Sequence, residues 1–266
     1  MQLMATRPMV HEASWKVLQR AVDVCPICRA ESAFNPCLPH DARPWIPAVD
    51  GRLLLLSEAP PTVGGFWHLP TDEHREEPDD LRAQLFRLLA LRSNRFDRDP
   101  HTRGSLEAFL TAGFFLLQTL KWPIAKPSEK RRATFNHLTK RTQQRLLSHT
   151  VLEHLKAEIS LLKPRGVLAM GNAALGACRL LAAPGTAPEG GVQTVRAKGN
   201  LNLFVMGSKT PFHVMSLPVD ENMRKDSRAQ EIKIDLDRFL DTHSWNPDEQ
   251  WPTGEGGVGE DRKERE

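Results

Sequence analysis

Four consecutive leucines, Leu53 to Leu56, stand between Gly51-Arg52 and a Ser-Glu-Ala-Pro-Pro turn. A run this short, uniformly apolar and closed by prolines has the length and composition of a strand buried on both faces. Glu58 then stands where a buried strand ends. In open α/β sheets ligands bind at that carboxyl end, which makes Glu58 a candidate catalytic acid. The alternative is that Glu58 caps the element that follows.

The rest of the chain supplies partners for such a strand. FFLLQTLKWP (114–123) and GVLAMGN (166–172) read as further buried strands, and LNLFVMG (201–207) and PFHVMSLPV (211–219) as the last ones. Between them, helical spacing of apolar residues predicts helices over 79–93, 105–113, 146–163 and 228–243, with another near the N-terminus around Trp15 to Val24. Asn172 is expected to cap a helix running on from the third strand. This alternation predicts a three-layer α/β/α domain on a short central parallel sheet. The expected organisation is an N-terminal helix and Cys/His knuckle (1–44), one α/β domain (45–243) and an acidic, disordered tail (244–266).

Among 266 residues no apolar run approaches the roughly 18 of a membrane span. The N-terminal residues lack the apolar core of a secretory signal, so the expected compartment is the reducing cytoplasm and the expected state a monomer. Cys25, Cys28, Cys37 and His40 follow a C-x2-C-x8-C-x2-H spacing. Two closely spaced ligand pairs on a short loop suit one tetrahedral zinc. A redox pair, or no metal, are the alternatives. Cys178 falls inside a predicted helix and reads as a core thiol.

The net charge of +3 is mild, but its distribution is not. Lys121, Lys126, Lys130, Arg131, Arg132, Lys140, Arg141 and Arg145 face one acid, Glu129, a local charge of +7. A stripe of this kind suits a phosphate backbone, with a solvated loop as the alternative. Phe66 and Trp67 follow the Glu58 turn and either form a stacking floor for a planar ligand or plug the core. Gln118, near the end of the second strand, offers one acceptor and two donors, enough to read a base edge or to satisfy a backbone group.

These short motifs, SEAPP after the leucine strand, FFLLQTLKWP, LLKPRGVLAMGNAAL and SLPVDENMR, occur in an order that resembles the uracil-DNA glycosylase superfamily. The nearest branch is the iron–sulfur bacterial and archaeal type, which carries a CxxC about thirty residues before its first motif. The resemblance implies a uracil-DNA glycosylase-like fold and a base-excision repair hydrolase acting on a deaminated base in single- or double-stranded DNA, uracil first. Glu58 takes the water-positioning role, Ala59, Pro60, Phe66 and Trp67 line the base pocket, and Gln118 stands where that branch has an Asn. The second motif lacks its His. His213, four residues before Leu217, is a poor replacement, and Pro218, Asn222, Met223 and Arg224 would meet DNA beside Lys126, Lys130, Arg131 and Arg132. The branch's third and fourth cysteines would fall near Trp122 and around His149 or Thr150, so Cys37 and His40 are the expected substitutes, favouring zinc over an iron–sulfur cluster. The rival expectations are a non-catalytic nucleic-acid binder of the same superfamily and a zinc-stabilised interaction protein.

Overall fold

The leucine run forms β1 (Leu53–Ser57), and every one of its residues is buried. Each leucine removed from water contributes about 1.5–3 kcal/mol, which makes this strand the natural centre of a core. A computed structural model describes residues 12–30, 52–60, 65–67, 80–124, 135–199, 201–205 and 208–250. β1 pairs in parallel with β2 (Phe114–Gln118) on one side and β3 (Gly166–Met170) on the other. β5 (Ser208–Met215) adds in parallel to β3, and β4 (Leu201–Val205) closes the sheet, giving the order β2-β1-β3-β5-β4.

The sheet is parallel as expected except at its edge, where β4 is antiparallel to β5. Only two residues separate the strands, too few for the crossover that parallel neighbours require, so a hairpin is the one connection available.

Alternation along β2 sets the two helical layers. Phe115 meets Trp15 of α1 (Glu12–Asp23) edge-on at 5.5 Å. Phe114 points the other way, to Phe109 of α4 (Arg103–Thr111), which also stacks on Phe86 of α3 (Asp80–Ala90), and to Trp245 beyond the last helix. On the Trp15 side lie α2 (Pro26–Ala30), α5 (Lys140–Thr150), α6 (Lys156–Leu162) and α7 (Gly171–Leu181). The opposite layer is closed by α10 (Asp226–Thr242), after the short α8 (Val192–Ala197) and α9 (Asp220–Met223). The chain is thus a three-layer α/β/α fold.

Four local expectations change. The helix expected from residue 146 begins at Lys140, because Thr139 accepts from the Thr142 N–H and caps it. The second strand stops at Gln118 rather than Pro123. α8 has no counterpart in the sequence reading; with Val195 its one buried residue, it shows no apolar stripe, and Arg196 fastens it to Asp235 and Glu231 of α10. Asn172 is not a cap, because α7 starts at Gly171, directly out of β3.

Packing also continues past residue 243. The Trp245 indole N–H donates to the Ala112 carbonyl at 2.9 Å, and Arg95 donates to the Glu249 carbonyl. The remainder of the expected tail, 251–266, lies outside the described residues.

Candidate metal centre and strand-end crevice

Cys25 precedes α2, and the Cys28 backbone N–H points at its Sγ at 3.5 Å. This turn presents both thiols to one side, as a CxxC spacing predicts. Their partners come from far along the chain: Cys25 Sγ lies 3.1 Å from His149 Nε2 and Cys28 Sγ 4.0 Å from His154 Nε2. All four donor atoms fall within 4.8 Å of one another. A tetrahedral zinc with Zn–S near 2.3 Å and Zn–N near 2.0–2.1 Å sets its donors about 3.3–3.8 Å apart, so only small adjustments separate this cluster from a coordination shell. The four residues could hold a metal ion such as zinc.

The two histidines share a face for a specific reason. Five residues along an α-helix amount to roughly 140° of residual rotation, which would point them apart. Between α5 and α6 the backbone takes a π-type turn over Val151–Leu155, underwound enough to stack residues five apart. The imidazole centroids lie 5.6 Å apart. Burial, followed by the Lys121 charge, pushes His154 down to about 4, so it is neutral at pH 7, the form that ligates. A groove of about 370 Å³ lined by Ile27, Cys28, Arg145 and His149 opens the centre to one side. Cys37 and His40, the other expected ligands, lie outside the described residues. Cys178 is fully buried in α7 and burial pushes its thiol up, a core role as expected.

The second region of interest follows from topology. From β1 the chain passes to β2 on one side, and from β3 to β5 and β4 on the other, so the sheet's switch point lies between the carboxyl ends of β1 and β3. That is where a ligand crevice forms in sheets of this class. Glu58 stands directly after β1, half-buried, and its Oε1 accepts from the Phe135 N–H at 2.6 Å. Asn172, at the start of α7, donates to Asn136 Oδ1 at 3.2 Å. Leu217 approaches Gly171, where an added Cβ would meet it at 3.6 Å. Asn136 and Asn172, both exposed, are therefore crevice residues that sequence reasoning did not single out for binding.

Gln118 ends β2 in register with Ser57. Its Oε1 is buried and has no hydrogen-bond partner among the described residues, and the same holds for Ser57 Oγ and Thr119 Oγ1. Three unsatisfied polar atoms at the ends of adjacent strands are unusual, since buried polar groups are nearly always paired.

Ala59 is half-buried and Pro60 buried beside Glu58. Phe66 and Trp67 are each 1% exposed. Phe66 packs on Phe109 and Trp67, and Trp67 lies against Phe115 while its N–H donates to the Leu116 carbonyl. Trp67 thereby covers the edge of the sheet, and of the two roles open to this pair, plugging the core is the one their packing supplies.

His213 sits on β5, two strands from β1, with its ring against Phe239 and His243 on the α10 side. It is not beside Glu58. Leu217 and buried Pro218 bring no titratable side chain to the crevice. Asn222 turns back to donate to the Leu217 carbonyl, Met223 packs partly against the core, and Arg224 is exposed.

Of the basic stripe, Lys140, Arg141 and Arg145 are exposed on α5, whereas Lys126, Lys130, Arg131 and Arg132 lie outside the described residues. Lys121 leaves the stripe altogether: it is fully buried against Glu158. Among the described residues no helix is long and apolar enough to cross a membrane. No family model and no curated protein matches the chain.

Proposed function

We propose that the chain is a DNA glycosylase that hydrolyses the N-glycosidic bond of a deaminated base, uracil first, and that its Cys/His centre holds zinc. The observation that carries the first part is that Glu58, just after β1, and Gln118, paired with Ser57 at the end of β2, stand at the carboxyl ends of neighbouring strands beside the switch point. A base taken out of the stack needs a pocket that reads its edge and a group that manages the charge of the reaction. Gln118 has the free acceptor for an imide N–H, and its amide donors suit a base carbonyl. As the bond breaks, the base gains negative charge and the sugar becomes cationic. The Glu58 carboxylate, held by the Phe135 N–H, would stabilise that sugar and align the attacking water. Lys140 and Arg141 would contact phosphates, each contact contributing about 0.9 to the slope of log affinity against log salt.

The zinc assignment rests on donor chemistry and span. Two thiolates and two neutral imidazoles balance a divalent cation, and donors within 4.8 Å of one another suit one ion. A multi-iron cluster would hold its ligands further apart.

The decisive assay uses oligonucleotides with one uracil or one hypoxanthine, single- and double-stranded, followed by alkali to cleave abasic sites. Cleavage by the wild type that is lost in Glu58→Gln supports the glycosylase. The placement of Leu217 and Pro218 favours a second reading, a binder without catalysis; DNA retention with no cleavage of any substrate would establish it.

A further inference from the structure

Lys121 is the one lysine whose side chain is fully buried among the described residues, and an isolated ammonium there would be prohibitively costly. Its Nζ donates to the Glu158 carboxylate and, at 2.7 Å, to the Gln118 carbonyl. Glu158 is itself fixed by Gln19 of α1, whose Nε2 donates to its other oxygen at 3.1 Å. Glu158 stands four residues after His154, just past the π-type turn, so one helical segment carries both a metal-ligand candidate and the lysine's partner.

The turn that Lys121 closes also reaches β1. The Thr119 N–H donates to the Ser57 carbonyl at 3.0 Å and the Leu120 N–H to the Glu58 carbonyl at 2.8 Å. Residues 118–121 therefore hold the backbone of both Gln118 and Glu58. On their other side the Lys121–Glu158 ion pair ties them to the helical segment bearing His154.

We propose that Lys121 is a positioning residue that ties the metal-ligand helix to the turn carrying Gln118 and Glu58, so that filling the Cys25/Cys28/His149/His154 centre firms the strand-end crevice. The importance of those two residues rests on the glycosylase reading, but the test does not depend on cleavage. Loading the centre fixes His149 and His154 relative to Cys25 and Cys28. Glu158 moves with His154, and Lys121 follows Glu158 because neither buried charge tolerates separation.

Hydrogen exchange on the full chain, zinc-loaded and chelator-stripped, tests this. The amides of 118–121 should exchange about tenfold more slowly with zinc, while those of β3 change far less. In Lys121→Met/Glu158→Gln, which removes both charges and keeps the Gln19 partner, zinc binding should persist and its effect on 118–121 should shrink to less than about twofold. Equal exchange in the loaded and stripped wild type, a change shared equally by β3, failure to bind zinc, or a zinc effect undiminished in the variant would each overturn the proposal. Zinc-dependent protection in a chain that cuts no substrate would sink the glycosylase reading and leave the role of Lys121 standing.

Discussion

The Glu58 carboxylate accepts its 2.6 Å hydrogen bond from the backbone N–H of Phe135, a residue that enters the crevice from the segment before α5. The bond ties a strand end to a distant turn, so Glu58 has a structural task as well as a proposed chemical one. The two separate by substitution. Glu58→Gln keeps an acceptor for Phe135 and should leave the urea midpoint nearly unchanged. Glu58→Ala strands a partly buried donor and should cost about 1–3 kcal/mol. Both should lower cleavage by roughly 10²–10⁴-fold if the carboxylate does the chemistry. Activity that tracks stability, intact in Gln and lost in Ala, would assign Glu58 to structure alone.

Metal content of the purified chain distinguishes the two ligand sets. Cys28→Ser and His149→Gln should reduce zinc from one equivalent to a small fraction by atomic emission, while Cys37→Ser and His40→Ala should retain it. At a metal concentration a thousand times Kd, binding stabilises the folded chain by about 4 kcal/mol. Chelation should therefore lower Tm by roughly 8–16 °C for a chain of this size. Loss of metal in Cys37→Ser with retention in His149→Gln would reverse the assignment.

The sheet was legible because its strands are short apolar runs: the leucines of β1, Phe114–Leu117 and Gly166–Met170 leave little else to build. The hairpin direction of β4 hid in a two-residue spacing, and α8 in a segment with one buried side chain. Spacing alone does not give the partners of the cysteine pair, although the resemblance places its branch's fourth cysteine around His149, one of the two that the fold brings there. His149 and His154 lie far from Cys25 in sequence, and five residues is no ligand interval on a regular helix. Only the π-type turn makes it one. Lys121 reads as one more charge in a basic stripe because its counter-charge, Glu158, lies far along the chain on α6. Ion pairs made by tertiary packing leave no periodicity in a sequence.

Acid should weaken the fold through His213. Burial pushes its imidazole down to about 4, and His243 beside it is lowered as well, again chiefly by burial. Between about 6.5 and 4 the unfolded chain binds a proton that the folded chain excludes, so this contribution to stability is intact above 6.5 and declines as pH falls, by at most ~1.4 kcal/mol per unit for one group. Asp235 acts in the opposite sense. Burial raises it to about 6, so the folded chain takes up a proton first and gains stability as pH falls from there toward 3.8. Urea midpoints at pH 7 and pH 5 should therefore fall modestly in the wild type, less in His213→Leu and more in Asp235→Asn. An identical fall in wild type and His213→Leu would remove His213 as the source.

The same corner of the fold makes substitution of Gly166 costly for a steric reason. A Cβ built on this first residue of β3 would lie 2.3 Å from two atoms of the His243 ring. The ring has little room to retreat, because it packs against Phe239 at 4.9 Å and His213 at 5.6 Å. Gly166→Ala must displace the imidazole or bend β3, which is paired to β1 at this residue. Overpacking of this kind costs about 1–3 kcal/mol. Removing the obstacle should recover most of it: Gly166→Ala/His243→Ala should be less destabilised than the sum of the single variants by at least ~0.5 kcal/mol, a coupling expected only of residues in contact. Simple additivity of the two substitutions, read from urea unfolding, would show that the ring moves aside freely and that Gly166 serves the strand in some other way.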